Sequence, residues 1–114
     1  MKYWVLAIAL LALAPPVSAD TSSEIEYLLS AIGSSECTFV RNGKRYAATK
    51  AEAHLRMKYE RGRRYADSAE HFIERLASKS SMTRRVYMIE CPGEEPERTG
   101  EWLTKRLEGY RSDL

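Results

Sequence analysis

The sequence has few of the residues from which catalytic and metal sites are usually built. Its 114 residues include only two histidines and two cysteines. It contains no Gly-x-Ser-x-Gly elbow and no convincing Ser-x-x-Lys arrangement, so a serine nucleophile is not indicated. Cys37 and Cys91 match no zinc-binding or redox spacing. We therefore predict no catalytic residue, no metal and no cofactor. Whether the chain is an enzyme stays open, with the balance against it.

The chain also has few long hydrophobic runs. It contains one, which lies near Met1. The run covers residues 3 to 14, shorter than the roughly 20 residues of a membrane-spanning helix. Lys2 precedes it and Pro15-Pro16-Val17-Ser18-Ala19 follows it. A positive start, a short apolar centre and small residues at the end are typical of a secretory signal peptide. We expect cleavage after Ala19, export of residues 20 to 114 as one domain, and no membrane span after cleavage.

The charge of the exported part is almost balanced. Without Lys2 it has 17 basic and 16 acidic residues. No overall field favours nucleic acid or an anionic membrane. A partner, if there is one, is expected to be an anionic envelope component or another exported protein.

The fold is predicted from a hairpin and a later strand. Asn42-Gly43 separates two short strand-like arms within residues 37 to 47, and both residues tolerate the positive φ of a type I′ turn. Residues 86 to 91 are rich in β-branched and aromatic side chains and supply a third strand. The expected sheet is antiparallel and three-stranded.

About four helices should cover this sheet in an α+β fold. Capping patterns begin at Thr21 and Thr49, and Thr99 is expected to cap the last helix, whose apolar face includes Trp102. Apolar residues at helical spacing follow the first cap: Ile25, Leu28, Leu29 and Ile32. Residues 50 to 78 suit one long helix or two. We favour two, near 50 to 65 and 68 to 78, because Asp67-Ser68-Ala69-Glu70 resembles a new N-cap.

The two cysteines are expected to form one disulfide. Both lie in the exported part, and an even pair in a small exported domain is typically bridged. The alternative is a free or regulatory thiol pair.

Short motifs spread over residues 33 to 111 occur together in a specific order. They are Gly33-Ser34-Ser35, Cys37, Phe39, Arg41-Asn42-Gly43, Ala53-His54-Leu55, Lys58, Ala69-Glu70, Phe72-Ile73, Ala77-Ser78, Ser80-Ser81, Tyr87, Cys91-Pro92-Gly93, Trp102-Leu103 and Tyr110-Arg111. In this order they resemble the YfeK-like family of small exported proteins from Gram-negative bacteria, a domain of unknown function. The resemblance implies a periplasmic location and no assigned activity. One departure is Met82-Thr83-Arg84-Arg85, where a small turn residue such as glycine is expected.

Two groups of polar residues are candidates for a site. His54 and Lys58 lie one helical turn apart and could bind an anionic group, and Arg41 lies at the shoulder of the hairpin. For Arg41 we favour a structural ion pair, with Glu90 or Glu36, over a role in such a site. The second group is a basic segment that invites an anionic partner, or is simply solvated: Arg56, Lys58, Arg61, Arg63 and Arg64.

The favoured hypothesis is a non-catalytic binding or interaction module. The first alternative is a small envelope hydrolase that uses His54 or His71 as a base. The second is an inhibitor of a lytic enzyme, with the hairpin loop Arg41 to Lys44 inserted into the cleft of its target.

Overall fold

The computed structural model describes residues 17 to 114, with side chains from Asp20 onward. The hydrophobic run of the predicted signal peptide lies outside the described residues. The described part contains four α-helices: α1 (Val17–Gly33), α2 (Ala48–Arg61), α3 (Ala69–Phe72) and α4 (Thr99–Ser112). It also contains four strands: β1 (Thr38–Arg41), β2 (Lys44–Ala47), β3 (Met88–Glu90) and β4 (Glu97–Arg98).

The sheet is antiparallel with the order β2-β1-β3-β4. The predicted α+β class is confirmed, whereas the prediction of three strands is wrong by one. After Cys91 the chain turns at Pro92-Gly93, where Gly93 has a φ of 76°, and returns along β3, with Met88 opposite Arg98 and Ile89 opposite Glu97. A strand of two residues is too short to show the alternation by which strands are recognised in a sequence.

The hairpin turn adopts the predicted conformation. Asn42 has a φ of 51° and Gly43 a φ of 80°, the two positive angles that a type I′ turn requires. In the resulting register Phe39 lies opposite Tyr46 on one side and Ile89 on the other. Phe39 is 5% exposed and Ile89 1% exposed, so this row is part of the core.

The core lies between the sheet and the helices. The predicted apolar face of α1 is confirmed, because Ile25, Leu28 and Ile32 are fully buried. They pack in one cluster with Phe72 of α3 and with the apolar face of α4, including the predicted Trp102. At the end of α4, the Arg111 guanidinium binds the carboxylates of Glu24 and Glu70 at 2.7 and 2.6 Å and ties α4 to α1 and α3.

The region between residues 50 and 78 is divided, as predicted. A 3₁₀ turn (Arg63–Tyr65) follows α2, and α3 continues into a π-helical turn (Ile73–Ala77). Ser68 is the N-cap of α3, and its hydroxyl accepts a hydrogen bond from the His71 amide at 3.0 Å. The other predicted caps are wrong, because α1 begins upstream of Thr21, α2 begins at Ala48, and Thr99 lies within α4 after Arg98.

The predicted disulfide between Cys37 and Cys91 is confirmed. Cys37 precedes β1 and Cys91 follows β3, and the last pair of the ladder between these strands is Thr38 with Glu90. The cysteines are therefore directly opposite one another across neighbouring strands, with their Cα atoms 4.2 Å apart. The bridge closes the end of the sheet where the chain enters the hairpin. Within residues 17 to 114, no helix has the length and apolar character needed to cross a membrane.

Candidate functional site

A small cavity lies between the hairpin, α2 and the segment that leads into β3, and we call it the basic pocket. Its volume is about 130 Å³. The residues that line it are Phe39, Val40, Arg41, Tyr46, Lys50, Ala51, His54, Leu55, Tyr87 and Thr99. The lining has three basic side chains and no acidic one.

The spacing of residues on α2 explains how the basic side chains meet. Lys50, His54 and Lys58 follow one another at intervals of four, so they lie on one face of the helix. The adjacent face of the same helix bears Ala51 and Leu55, whose side chains are buried in the core. Arg41 is the last residue of β1, and its side chain lies on the same face of the sheet as that of Phe39. Strand alternation and helical periodicity thus bring four basic residues to one place.

Tyr87 connects two of these residues. Its side chain is nearly buried, with 5% of the residue exposed. The Lys58 amine donates a hydrogen bond to the Tyr87 hydroxyl oxygen at 3.1 Å, and also one to the carbonyl oxygen of Lys79 at 3.1 Å. The Tyr87 hydroxyl lies 3.3 Å from Nε2 of His54. Since the ammonium group can only donate, the hydroxyl proton is free to point at a neutral His54.

Burial and mutual repulsion shift the pKa values of this cluster. Burial, with a smaller contribution from the positive charge of Arg41, lowers the pKa of Lys58 to about 8. The pKa of His54 is lowered by burial and by the charges of Arg41 and Lys58. Burial raises the pKa of Tyr87, an effect that Arg41 partly opposes. At neutral pH Lys58 therefore stays charged, whereas His54 and Tyr87 are neutral.

Arg41 does not form the ion pair that was predicted for it. It stacks on the ring of Tyr46, with the guanidinium carbon 4.7 Å from the ring centroid. Glu90 instead pairs with Arg45. The register explains this, because Glu90 lies opposite Thr38 and Arg45 opposite Val40, which places both on the face of the sheet opposite Arg41.

The structure thus brings together the three residues predicted as a polar site, Arg41, His54 and Lys58. The sequence analysis did not assign the other polar members: Tyr46, Lys50, Tyr87 and Thr99. Lys50 could have been found from its spacing to His54. Tyr87 carries no such signal, since its position depends on how β3 pairs with β1.

The five residues of the predicted partner surface do not share one face. Arg56 binds the carboxylate of Glu26 on α1 at 2.6 Å and that of Glu52 on its own helix at 2.8 Å. Lys58 lies against Tyr87. Arg63 and Arg64 stack on Tyr59 and Tyr65, at 4.5 and 4.7 Å from the ring centroids, and Arg61 is exposed. The exposed part of the segment is therefore reduced to Arg61, Arg63 and Arg64.

The histidines differ in the chemistry that they could support. His71 is paired with Asp67 on the surface, one helical turn away. His54 lines a concave pocket, but its side-chain partner there is the phenol of Tyr87 and the lining contains no serine or cysteine. Among residues 20 to 114 no three His, Cys, Asp or Glu side chains are close enough together to hold a metal ion.

Comparison with known proteins relates nearly the whole described chain to one family. Residues 19 to 111 match a family described as "Family of unknown function (DUF5329)". The chain belongs to this family. It is also 38% identical over 92 residues to a Salmonella typhimurium protein named "Uncharacterized protein YfeK", a match that covers 76% of this chain and 77% of that protein. The predicted YfeK-like membership is confirmed. No solved structure matches.

Proposed function

We propose that this protein is a periplasmic, non-catalytic binding module whose basic pocket takes a small organic anion. The observation that carries the proposal is the convergence of Arg41, Lys50 and His54 on one cavity with no carboxylate in its lining. The Lys58 amine lies beside this cavity, hydrogen-bonded to the Tyr87 hydroxyl. Buried or half-buried cations are normally paired. Here Arg41 stacks on Tyr46 and Lys58 binds neutral oxygens, so neither charge is neutralised by those contacts.

The size of the pocket limits the ligand. A cavity of about 150 Å³ accommodates benzene. At about 130 Å³ the basic pocket is slightly smaller, so it can enclose no more than a short chain or a single ring. The walls are apolar at Phe39, Ala51 and Leu55, each no more than 8% exposed. A short carboxylate with an apolar body fits both the charge and the walls better than inorganic sulfate or phosphate does.

The periplasmic location is supported by the leader-like residues 1 to 19 and by the disulfide, which is typical of an oxidising compartment. For the hydrolase hypothesis, the group that lies within hydrogen-bond distance of His54 is the phenol of Tyr87, at 3.3 Å. An inhibitor would need the hairpin turn to project freely into the cleft of its target. Here the turn is tied to a neighbouring loop, because the Thr83 hydroxyl donates a hydrogen bond to the Asn42 side-chain oxygen at 2.6 Å.

The test is calorimetric titration of the exported domain with acetate, butyrate, hexanoate, benzoate, phosphate and sulfate. Affinity should rise along the aliphatic series, because each buried methylene contributes about 0.8 kcal/mol. The Lys58→Met and Arg41→Met variants should each lose at least about tenfold in affinity, the factor expected for one charge-assisted hydrogen bond. Arg61→Met is the matched control on the exposed side of α2 and should bind normally.

Methyl esters of the same acids provide the second control, since they keep the apolar body and lose the charge. Equal binding of ester and acid, or binding that is insensitive to both Lys58→Met and Arg41→Met, would contradict the proposal.

A further inference from the structure

Two turns lie side by side at one end of the sheet. One is the hairpin turn between β1 and β2, and the other is the turn of residues 80 to 85, which leads toward β3. The Thr83 hydroxyl donates a hydrogen bond to the Asn42 side-chain oxygen at 2.6 Å. The Arg85 guanidinium lies beside Gly43, with its nitrogens 3.8 Å from the position that a Cβ atom on that glycine would take. The two turns therefore form one surface.

The turn of residues 80 to 85 holds its one large apolar side chain in the solvent. The Ser80 amide donates to the Arg85 carbonyl oxygen at 2.9 Å and closes the turn. The hydroxyl of the buried Ser80 accepts hydrogen bonds from the amides of Met82 and Thr83, at 3.3 and 3.2 Å. Met82 is 91% exposed. Because these bonds fix the backbone at Met82, its exposure is built into the turn.

The charged residues of this surface are all basic. No acidic residue occurs between residues 37 and 51 or between residues 75 and 89. The exposed side chains of Lys44, Arg84 and Arg85 form no ion pair with a carboxylate among residues 20 to 114. An exposed apolar side chain is thus surrounded in the chain by unpaired positive charges. We call this surface the basic tip, and its residues are Lys44, Met82, Arg84 and Arg85.

The backbone of Arg84 supports a role for its side chain. Its φ of 67° lies in the left-handed region, which glycine adopts without strain and other residues adopt at a cost. Strained residues of this kind cluster at binding sites, where the side chain compensates for the cost. The position retains an exposed arginine although glycine would fit the backbone better, which points to a use for the charge.

We propose that the basic tip docks the exported domain on a bilayer surface that contains anionic phospholipid, with the Met82 side chain inserted among the headgroups. Each basic residue near such a surface raises the affinity about fivefold. Stable attachment needs an apolar contribution beside the charge, and Met82 supplies it. The attraction is local to the tip, since the charge of the exported part is almost balanced overall.

A bilayer fits the basic tip better than an acidic protein does. Specific protein interfaces use about 20 to 30 residues on each side, whereas the tip consists of two short turns. A bilayer instead offers many anionic headgroups to a few long basic side chains and admits a single apolar group between them. The docking surface is also separate from the basic pocket, because none of its four residues lines that cavity.

The test is co-sedimentation of the exported domain with sucrose-loaded vesicles of phosphatidylglycerol and phosphatidylethanolamine. The domain should bind these vesicles, should bind less at about 0.5 M salt, where screening is stronger, and should not bind vesicles of phosphatidylcholine. The tip variant combines Lys44→Gln, Arg84→Gln and Arg85→Gln. Its affinity should fall at least about tenfold. The matched control removes the same charge elsewhere and combines Arg61→Gln, Arg63→Gln and Arg64→Gln. Its affinity should fall less than about twofold.

Tryptophan fluorescence tests the insertion of residue 82. The emission of Met82→Trp should shift to shorter wavelength on the anionic vesicles, because the other tryptophan of the exported domain, Trp102, is already buried. Tyr65→Trp replaces an exposed side chain away from the tip and should show no shift. Met82→Ser should lower the affinity about threefold or more, since the apolar contribution is lost.

Arg84→Gly separates binding from folding. The variant relieves the backbone and removes one charge, so it should melt no lower than the wild type and bind the anionic vesicles about fivefold less tightly. Lys58→Met, which alters the anion site, should bind the vesicles normally, so the two proposals can fail separately.

Four results would overturn the docking proposal. They are no binding to the anionic vesicles, equal losses in the tip variant and its matched control, unchanged emission of Met82→Trp on these vesicles, and unchanged vesicle binding by Arg84→Gly. Retention on immobilised polyglutamate that depends on the tip, without vesicle binding, would assign the surface to an acidic protein and would overturn the proposal as well.

Discussion

The amine of Lys58 lies 3.1 Å from the hydroxyl oxygen of Tyr87, and this contact joins α2 to the segment before β3 at the edge of the basic pocket. The two residues are 29 positions apart in the chain. The contact holds a half-buried positive charge against neutral oxygens, with Arg41 close enough to lower the pKa of Lys58 further. A site that retains such a charge is suited to receive an anion.

The first prediction concerns stability at alkaline pH. The pKa of Lys58 is about 8 in the folded protein, against an ordinary value of 10.5. Between pH 8 and pH 10 the unfolded chain therefore binds more protons at this residue than the folded protein does, and the Lys58 contribution to the free energy of unfolding should rise with pH. We limit the window to pH 10, because the raised pKa of Tyr87 has the opposite effect above its ordinary value of 10.0.

Urea denaturation at several pH values measures this contribution in wild type and Lys58→Met. The free energy of unfolding of the wild type, minus that of Lys58→Met, should increase as the pH rises from 8 to 10. Free thiols do not interfere, since both cysteines are bridged. A difference independent of pH would mean that the pKa of Lys58 is not lowered by folding.

The second prediction is that Tyr87→Phe destabilises the domain by about 1 kcal/mol, the net value of a typical hydrogen bond. The substitution removes the hydroxyl that binds Lys58 and His54 and keeps the buried ring. Tyr46→Phe is the matched control, because the Tyr46 hydroxyl has no hydrogen-bond partner among the described residues while its ring also lines the pocket. Urea denaturation at pH 7 should show a loss for Tyr87→Phe that exceeds the loss for Tyr46→Phe. Equal losses would contradict a structural role for the contact.

The third prediction concerns the disulfide. Cys37 and Cys91 are 54 positions apart, and a crosslink over such a loop stabilises a protein by about 4 kcal/mol through the unfolded chain. Replacing both cysteines with alanine should lower the free energy of unfolding by a few kcal/mol, measured by urea denaturation. An unchanged denaturation midpoint would show that the sheet is closed without the bridge.

The fourth prediction concerns export. Expression of the full chain in a Gram-negative host should release, by osmotic shock, a protein whose intact mass corresponds to a chain that starts at Asp20. The disulfide should be formed in this material, because the periplasm is oxidising. Recovery of the uncleaved chain in the cytoplasm would contradict the periplasmic assignment.

The features that could be predicted from the sequence are those encoded by neighbouring residues. Asn42-Gly43 predicts the hairpin turn, and Ser68 predicts the N-cap of α3. The spacing of Ile25, Leu28 and Ile32 predicts the buried face of α1. The disulfide could also be predicted, because a chain with only two cysteines offers one pairing.

What the sequence did not reveal depends on long-range register. Strand β4 exists only because Gly93 turns the chain back onto β3. Arg41 cannot reach Glu90 because the pairing of β1 with β3 puts their side chains on opposite faces. A small residue such as glycine is expected near Met82 because the turn there needs a residue with positive φ. In this chain Arg84 takes that conformation, with a φ of 67°. The places of Tyr87 and Thr99 in the pocket follow from pairings of this kind, which no local pattern signals.

The most direct test of the anion-binding claim is an amide chemical-shift titration of the exported domain with benzoate. The shifts should be confined to the lining of the basic pocket, at Phe39 to Arg41, Lys50 to Leu55, Tyr87 and Thr99, and should disappear in Lys58→Met combined with Arg41→Met. No shift up to millimolar benzoate, or shifts confined to Arg61, Arg63 and Arg64, would contradict the account.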